Sequence, residues 1–306
     1  MTGRERLAAT LAHREPDRVC VDFGATFVTG MHVSAVTRLR RELLGQPEYR
    51  VKVIEPYQML GEIDDELRRA LGIDVIGRLP RKTIFGTESK DWKPFTLFDG
   101  TEVLVSGDFN VTVDPDTGDL LMYPEGDTTA PPSGRMPKGG YFFDAIVRQE
   151  PIEESRLDPA DNCEEFAPLS EEDIEYYRRA ALWFDERADY GTVLVIPGAA
   201  FGDIALVPAP WMKHPKGIRD VGEWYASLAT RPDYVRQVFE RQCEIALENI
   251  KTLIELLGDR VQVALVTGTD FGTQQGPFMS RKMYRELFMP FHKAVNDAIH
   301  KQSNWK

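Results

Sequence analysis

The residues of this chain best suited to chemistry sit in short polar stretches that follow apolar runs. The most pronounced is TDFGTQQGPFMS, from Thr269 to Ser280. Asp270 stands where the chain would leave a sheet, and Gln274 and Gln275 offer amide donors and acceptors a few residues on. In parallel α/β architectures ligands meet the protein at the carboxyl ends of strands, which makes this loop, with Asp270, the best single candidate for a functional site. The plainer role for Asp270 and Gly272 is to shape a turn, with the carboxylate accepting backbone N–H bonds.

A second stretch, DFGATFVTGMH, carries Asp22, Thr26, Thr29 and His32 between an apolar run and a helix start, where they would line a pocket wall. A histidine there can hydrogen-bond a ligand carboxylate, or simply be a surface or satisfied residue. Arg78 follows the apolar segment after Gly72 and is a candidate for an acidic substrate group, or for a structural pair with a neighbouring carboxylate. None of these residues is marked as a catalytic acid or base by its type and spacing alone.

Other chemistries lack their signatures. Cys20, Cys163 and Cys243 lie far apart, and His13, His32, His214, His292 and His300 are scattered, so no cluster has metal-ligand spacing. The cysteines read as reduced thiols, Cys20 and Cys243 as small buried hydrophobes. No G-x-G-x-x-G follows the first expected strand and no phosphate-loop motif occurs, which disfavours nucleotide binding.

The elements that must position these residues read as repeated strand–helix units. Helices are expected over 3–13, 32–44, 57–71, 170–189, 220–229 and 232–257, with another opened by Ser280. Strands are expected over 18–23, 73–76, 193–196 and 261–267, the last buried on both faces because it is aliphatic and uncharged. Between 84 and 127 the pattern changes to short alternating strands joined by Asp-Gly turns, an inserted antiparallel β element over which Trp92, Phe95 and Phe98 would pack. The stretch TTAPPSGRMPKGG that follows reads as a surface linker or lid, and 151–170 as an irregular connection. Repeated β then α units point to parallel strands with helices outside, in a barrel or a doubly wound sheet.

With 306 residues the chain is long enough for a sizeable core. A net charge of −12 argues against nucleic acid and anionic membrane and for a small-molecule partner. No run of about 18 apolar residues occurs, and the N-terminus is charged and amphipathic, so a cytoplasmic protein is expected.

The order of PDRVCVDFGATFVTGMH, LGIDVIGR, the β insertion and TDFGTQQGPFMSRKMYRELFMPFH resembles the uroporphyrinogen decarboxylase superfamily, and within it the branch of cobamide-dependent methyltransferases. The resemblance extends over nearly the whole chain. It implies a single domain over 1–306, a TIM (β/α)8 barrel with the 84–127 hairpin insertion, and an enzyme whose site lies at the strand ends. It also implies zinc, which activates a thiol as thiolate, and methylcobalamin or a corrinoid protein as substrate or partner. Decarboxylases of the family carry an Arg-Gln-Ala-Gly-Arg type motif near the N-terminus, where this chain reads DFGATFVTGMH; uroporphyrinogen decarboxylation is therefore the second reading, and a non-catalytic binding protein the third. The methyltransferase branch takes its zinc ligands from a His-x-Cys motif and a later Cys, expected beyond Lys306. The barrel is thus expected to be incomplete at its C-terminal end, with an open edge that makes 1–306 poorly stable or aggregating.

Overall fold

The computed structural model describes residues 1–306 and divides into two units, Met1–Ile146 with Arg187–Val193 and Pro210–His214, and Val147–Glu186 with Leu194–Ala209 and Pro215–Lys306. The first unit opens with helix α1 (Gly3–Leu11), started by a capping box in which Thr2 and Glu5 satisfy each other's backbone N–H groups. Arg6 of this helix reaches a buried ion cluster. Its guanidinium binds Asp17 at 2.7 Å and Asp74 at 2.5 Å, and Arg18 holds the other side of Asp74 at 2.8 Å.

That cluster explains why 18–23 is not a strand. Val21 accepts from the Asp74 N–H at 2.8 Å, but its own N–H goes to the Asp74 carboxylate at 2.9 Å, so the backbone ladder ends after one bond.

Helix α2 (Val33–Leu44) follows, ending at Gly45 in the left-handed region. The helix expected over 57–71 forms only in its second half. Strands β1 (Val53–Glu55) and β2 (Leu60–Gly61) pair first, and helix α3 (Asp65–Leu71) comes after. The Glu55 carboxylate accepts the N–H groups of Tyr57 at 2.9 Å and Gln58 at 2.8 Å, as a helix cap would, but Met59 turns to φ +53° and Leu60 and Gly61 pair with β1 instead of continuing a helix. At the start of α3, Arg40, almost wholly buried, pairs with Asp64 and Glu66.

Strand β3 (Val75–Arg78) includes Arg78 as its last residue. Gly77 within it has no room for a side chain, because a Cβ would stand 1.9 Å from the Ala25 carbonyl oxygen. The antiparallel element then takes in β4 (Lys93–Thr96), β5 (Glu102–Val105), β6 (Val111–Val113), β7 (Leu120–Met122), β8 (Gly134–Met136) and β9 (Asp144–Ala145). It thus runs past 127 and absorbs the expected linker, because Leu121 and Met122 pair with Arg135 and Gly134. One core joins Val33, Val36, Met59, Leu67, Phe85, Val103, Phe109, Met122 and Phe143. Phe95 packs edge-on against Phe109, whereas Phe98 is exposed.

The second unit contains helix α4 (Glu171–Asp185), started by a Ser170–Asp173 capping box, and part of strand β10 (Gly191–Val195). Helices α5 (Val221–Thr230) and α6 (Pro232–Leu257) follow, with Asp220 capping α5 and proline in the first turn of α6. Strand β11 (Val263–Leu265) is only three residues long and half-buried, not the long strand covered on both faces that its composition suggests. It is followed by a small hairpin, β12 (Gly272–Thr273) with β13 (Gly276–Pro277), and by helices α7 (Arg281–Leu287) and α8 (Met289–Gln302). The long α6 packs against α4, α5 and α8 and supplies the spine of this unit.

The incomplete TIM barrel is not what forms. Strands group into separate sheets of two to four members, no sheet closes on itself, and most pairings recorded between neighbouring strands are antiparallel. The architecture is mixed α/β. The physical cause is strand length: segments read as full strands contribute three paired residues, as at β11, or none, as at 18–23. No helix is long and apolar enough to cross a membrane.

Candidate functional site

The expected site residues of the first unit are used locally. Asp22 accepts the Ala25 N–H and the Thr29 hydroxyl, each at 3.2 Å, and Thr29 in turn accepts the Thr26 N–H. These bonds close the loop from Asp22 to Thr29, which contains Gly24. Burial raises the Asp22 carboxyl above the usual carboxylate range, partly offset by those two donors. His32 is the N-cap of α2: Nδ1 lies 2.8 Å from the Ser34 hydroxyl and 3.2 Å from its N–H, and Nε2 lies 2.8 Å from the Tyr141 carbonyl oxygen. Both ring nitrogens are occupied, and neither by the Asp22 group. Arg78 is half-exposed at the end of β3.

In the second unit Gln274 and Gln275 form the exposed tip of the β12–β13 hairpin. Asp270 is exposed just before it, and its charge acts on a residue that spacing did not single out, Asp203.

Asp203 follows Phe201 and Gly202 in the loop after β10. Gly202 has φ +66°, and a Cβ there would stand 3.1 to 3.3 Å from Trp224, Phe239 and Phe288, so the loop passes over this aromatic group only as glycine. The Asp203 carboxylate accepts the Ala205 N–H at 2.9 Å through one oxygen and the Thr269 hydroxyl at 3.2 Å through the other. Thr269 is held by Thr267, whose hydroxyl lies 2.5 Å from its own.

Burial is the main cause that raises the Asp203 carboxyl above its ordinary range, and the charge of Asp270 adds to it. Tyr225 of α5 donates to the Asp270 carbonyl oxygen at 3.2 Å, and its ring lies 4.8 Å from Phe278. Burial, then Asp203 and Asp270, push its phenol up to about 12, so it stays a donor at neutral pH. The site therefore joins two carboxylates, two threonine hydroxyls and a neutral phenol, and no basic side chain is among the groups acting on Asp203.

Comparison with family models, with curated proteins and with solved structures returned no match.

Two signals in the sequence point to this site once the fold is known. PGAAFGD is a glycine-bearing loop after an apolar run, like TDFG, and both place a Phe-Gly pair directly beside an aspartate. Tyr225 has no such signal, because it reaches the site from a helix formed more than forty residues before Asp270.

Proposed function

We propose that this chain is a methyltransferase-like protein of the uroporphyrinogen decarboxylase superfamily, moving a methyl group between a corrinoid and a thiol or small methyl donor. The order of motifs from PDRVCVDFG to TDFGTQQGPF supports the family reading. The observation that carries the chemistry is the half-buried Asp203 beside Asp270, with no cation acting on it.

A carboxyl raised in this way keeps its proton to higher pH than an exposed aspartic acid. It is suited to give that proton to the heteroatom of a donor as the methyl group departs. In the opposite direction the carboxylate takes the proton from a thiol, and the thiolate accepts the methyl group. The Ala205 N–H and the Thr269 hydroxyl hold the carboxyl in place, while Tyr225 fixes the backbone at Asp270. A porphyrinogen carrying several carboxylates would meet like charge here, which supports methyl transfer over decarboxylation.

Zinc does not fit the residues present. No group of three His, Cys, Asp or Glu side chains gathers to hold a metal.

The test is cobalamin absorbance, with methylcobalamin plus a thiol in one direction and cob(I)alamin plus a methylated ether or amine in the other. Turnover is expected in one of them, with Asp203→Asn slower by roughly 10²- to 10⁴-fold. No turnover in either direction overturns the proposal; unchanged turnover in Asp203→Asn removes the role given to that residue.

A further inference from the structure

Beneath the two aspartate loops of the second unit lies a histidine that the proposed chemistry does not use. His292 projects from α8 into a box of rings. Its centroid lies 5.7 Å from Phe201, 5.9 Å from Phe271, 5.9 Å from Tyr284 and 6.2 Å from Phe288. Two of those rings belong to the loops in question: Phe201 is two residues before Asp203, and Phe271 directly follows Asp270.

The polar edge of the imidazole is only half matched. Nδ1 lies 3.2 Å from the Tyr284 hydroxyl, and Nε2 is enclosed with no hydrogen-bond partner. A neutral ring tolerates this, because one nitrogen shares a proton with Tyr284 and the other sits against apolar surface at moderate cost. A second proton changes the balance. It places an N–H on each nitrogen and a full charge in a box whose other walls are carbon, and the orphaned N–H must find an acceptor or the box must open.

The titratable groups that face the ring are few. Tyr284 comes from α7, and the carboxylates nearest in the chain to the packed rings are Asp203 and Asp270. Neither acts on His292, whose imidazole is held below its ordinary range by burial. On its own helix Lys293 is exposed and paired with Asp297.

We propose that His292 is a proton-operated latch: neutral, it ties the Phe201 and Phe271 loops together and so fixes Asp203 and Asp270; protonated, it releases both. The latch is a property of the fold and does not depend on which reaction the aspartates serve.

The test is nuclear magnetic resonance on the full 306-residue chain, titrated from pH 8 to pH 5. The His292 ring and the backbone amides of Gly202, Asp203, Asp270 and Phe271 are followed together. Ring and amides are expected to share one midpoint below that of an exposed histidine. In His292→Phe, which keeps a ring and loses the proton, the amides should lose that midpoint while the remaining histidines titrate as before.

Amides that stay still as His292 titrates, or that keep their midpoint in His292→Phe, overturn the proposal. Should His292→Phe fail to fold, Tyr284→Phe decides, since it removes only the hydroxyl at Nδ1. A shift of the ring and amide midpoints together supports the latch, and a shift of the ring alone overturns it.

Discussion

Two enclosed aspartates, one in each unit, meet opposite fates. Asp74 is almost wholly buried between Arg6 and Arg18 and also accepts the Val21 N–H, so its charge is matched on every side. Asp203 is half-buried with one amide and one hydroxyl, and the charge that acts on it is another carboxylate, Asp270. The first arrangement fixes α1, the 18–22 segment and β3 to one another. The second leaves a carboxyl with an unusual proton affinity and no structural partner of opposite sign, which is the condition for acid–base work. Burial alone is therefore a poor guide to function; what faces the buried group decides.

The comparison breaks first on stability. Asp74→Ala is expected to cost about 3–5 kcal/mol, because it leaves two arginines, one of them enclosed, without their counter-charge. Asp203→Asn should leave stability unchanged or raise it, since it removes an unmatched charge. Urea unfolding of both variants measures the difference, and equal losses would erase the distinction.

Glu55 tests the same logic within the first unit. Burial pushes its carboxyl up to about 7, against the two backbone N–H groups that favour the ion. Its folded-state value lies above the unfolded one, so the folded chain binds more protons between the two. Stability should be greatest below the unfolded value near 4.5 and fall by about 3 kcal/mol as pH rises through 7. Glu55→Gln should flatten that slope in a pH series of denaturation curves. His292 gives the opposite sign. Its imidazole is lowered on folding, so its contribution is lost as pH drops below the ordinary histidine range.

Smaller effects sharpen the contrast. Ser170→Ala removes one side of the α4 capping box and should cost about 1 kcal/mol in thermal or urea unfolding. Gln274→Ala and Gln275→Ala lie at an exposed hairpin tip and should stay within about 0.5 kcal/mol by the same assay. Should either glutamine variant nevertheless abolish methyl transfer, the tip would have to be counted in the site with Asp203.

Much of the helical layout is legible in the chain itself. Thr2 with Glu5, Ser170 with Asp173, Asp220, and Gly45 at a helix end each mark a boundary through a bond made within a few residues. Local chemistry is enough there, because the donor and acceptor are neighbours in sequence. The strands were less legible. An apolar run has no register until a partner is chosen, and at Val21 the partner is a side chain on residue 74. The helix expected from Tyr57 fails for a similar reason, because Leu60 and Gly61 pair with β1 after a turn at Met59, a partner choice that no periodicity within 57–71 records.

The candidate site divides along the same line. The sequence by itself determined that Asp270 and PGAAFGD stand in polar loops after apolar runs, since glycine and loss of periodicity mark a loop without reference to anything distant. Only the tertiary structure decided that Asp270 acts on Asp203, that Tyr225 closes the group from α5, and that His292 lies under both loops. It also decided that Asp22 and His32 serve their own turns. Proton affinity depends on what surrounds a group within a few ångströms, and for residues sixty or more apart that is set by packing, which no local pattern records.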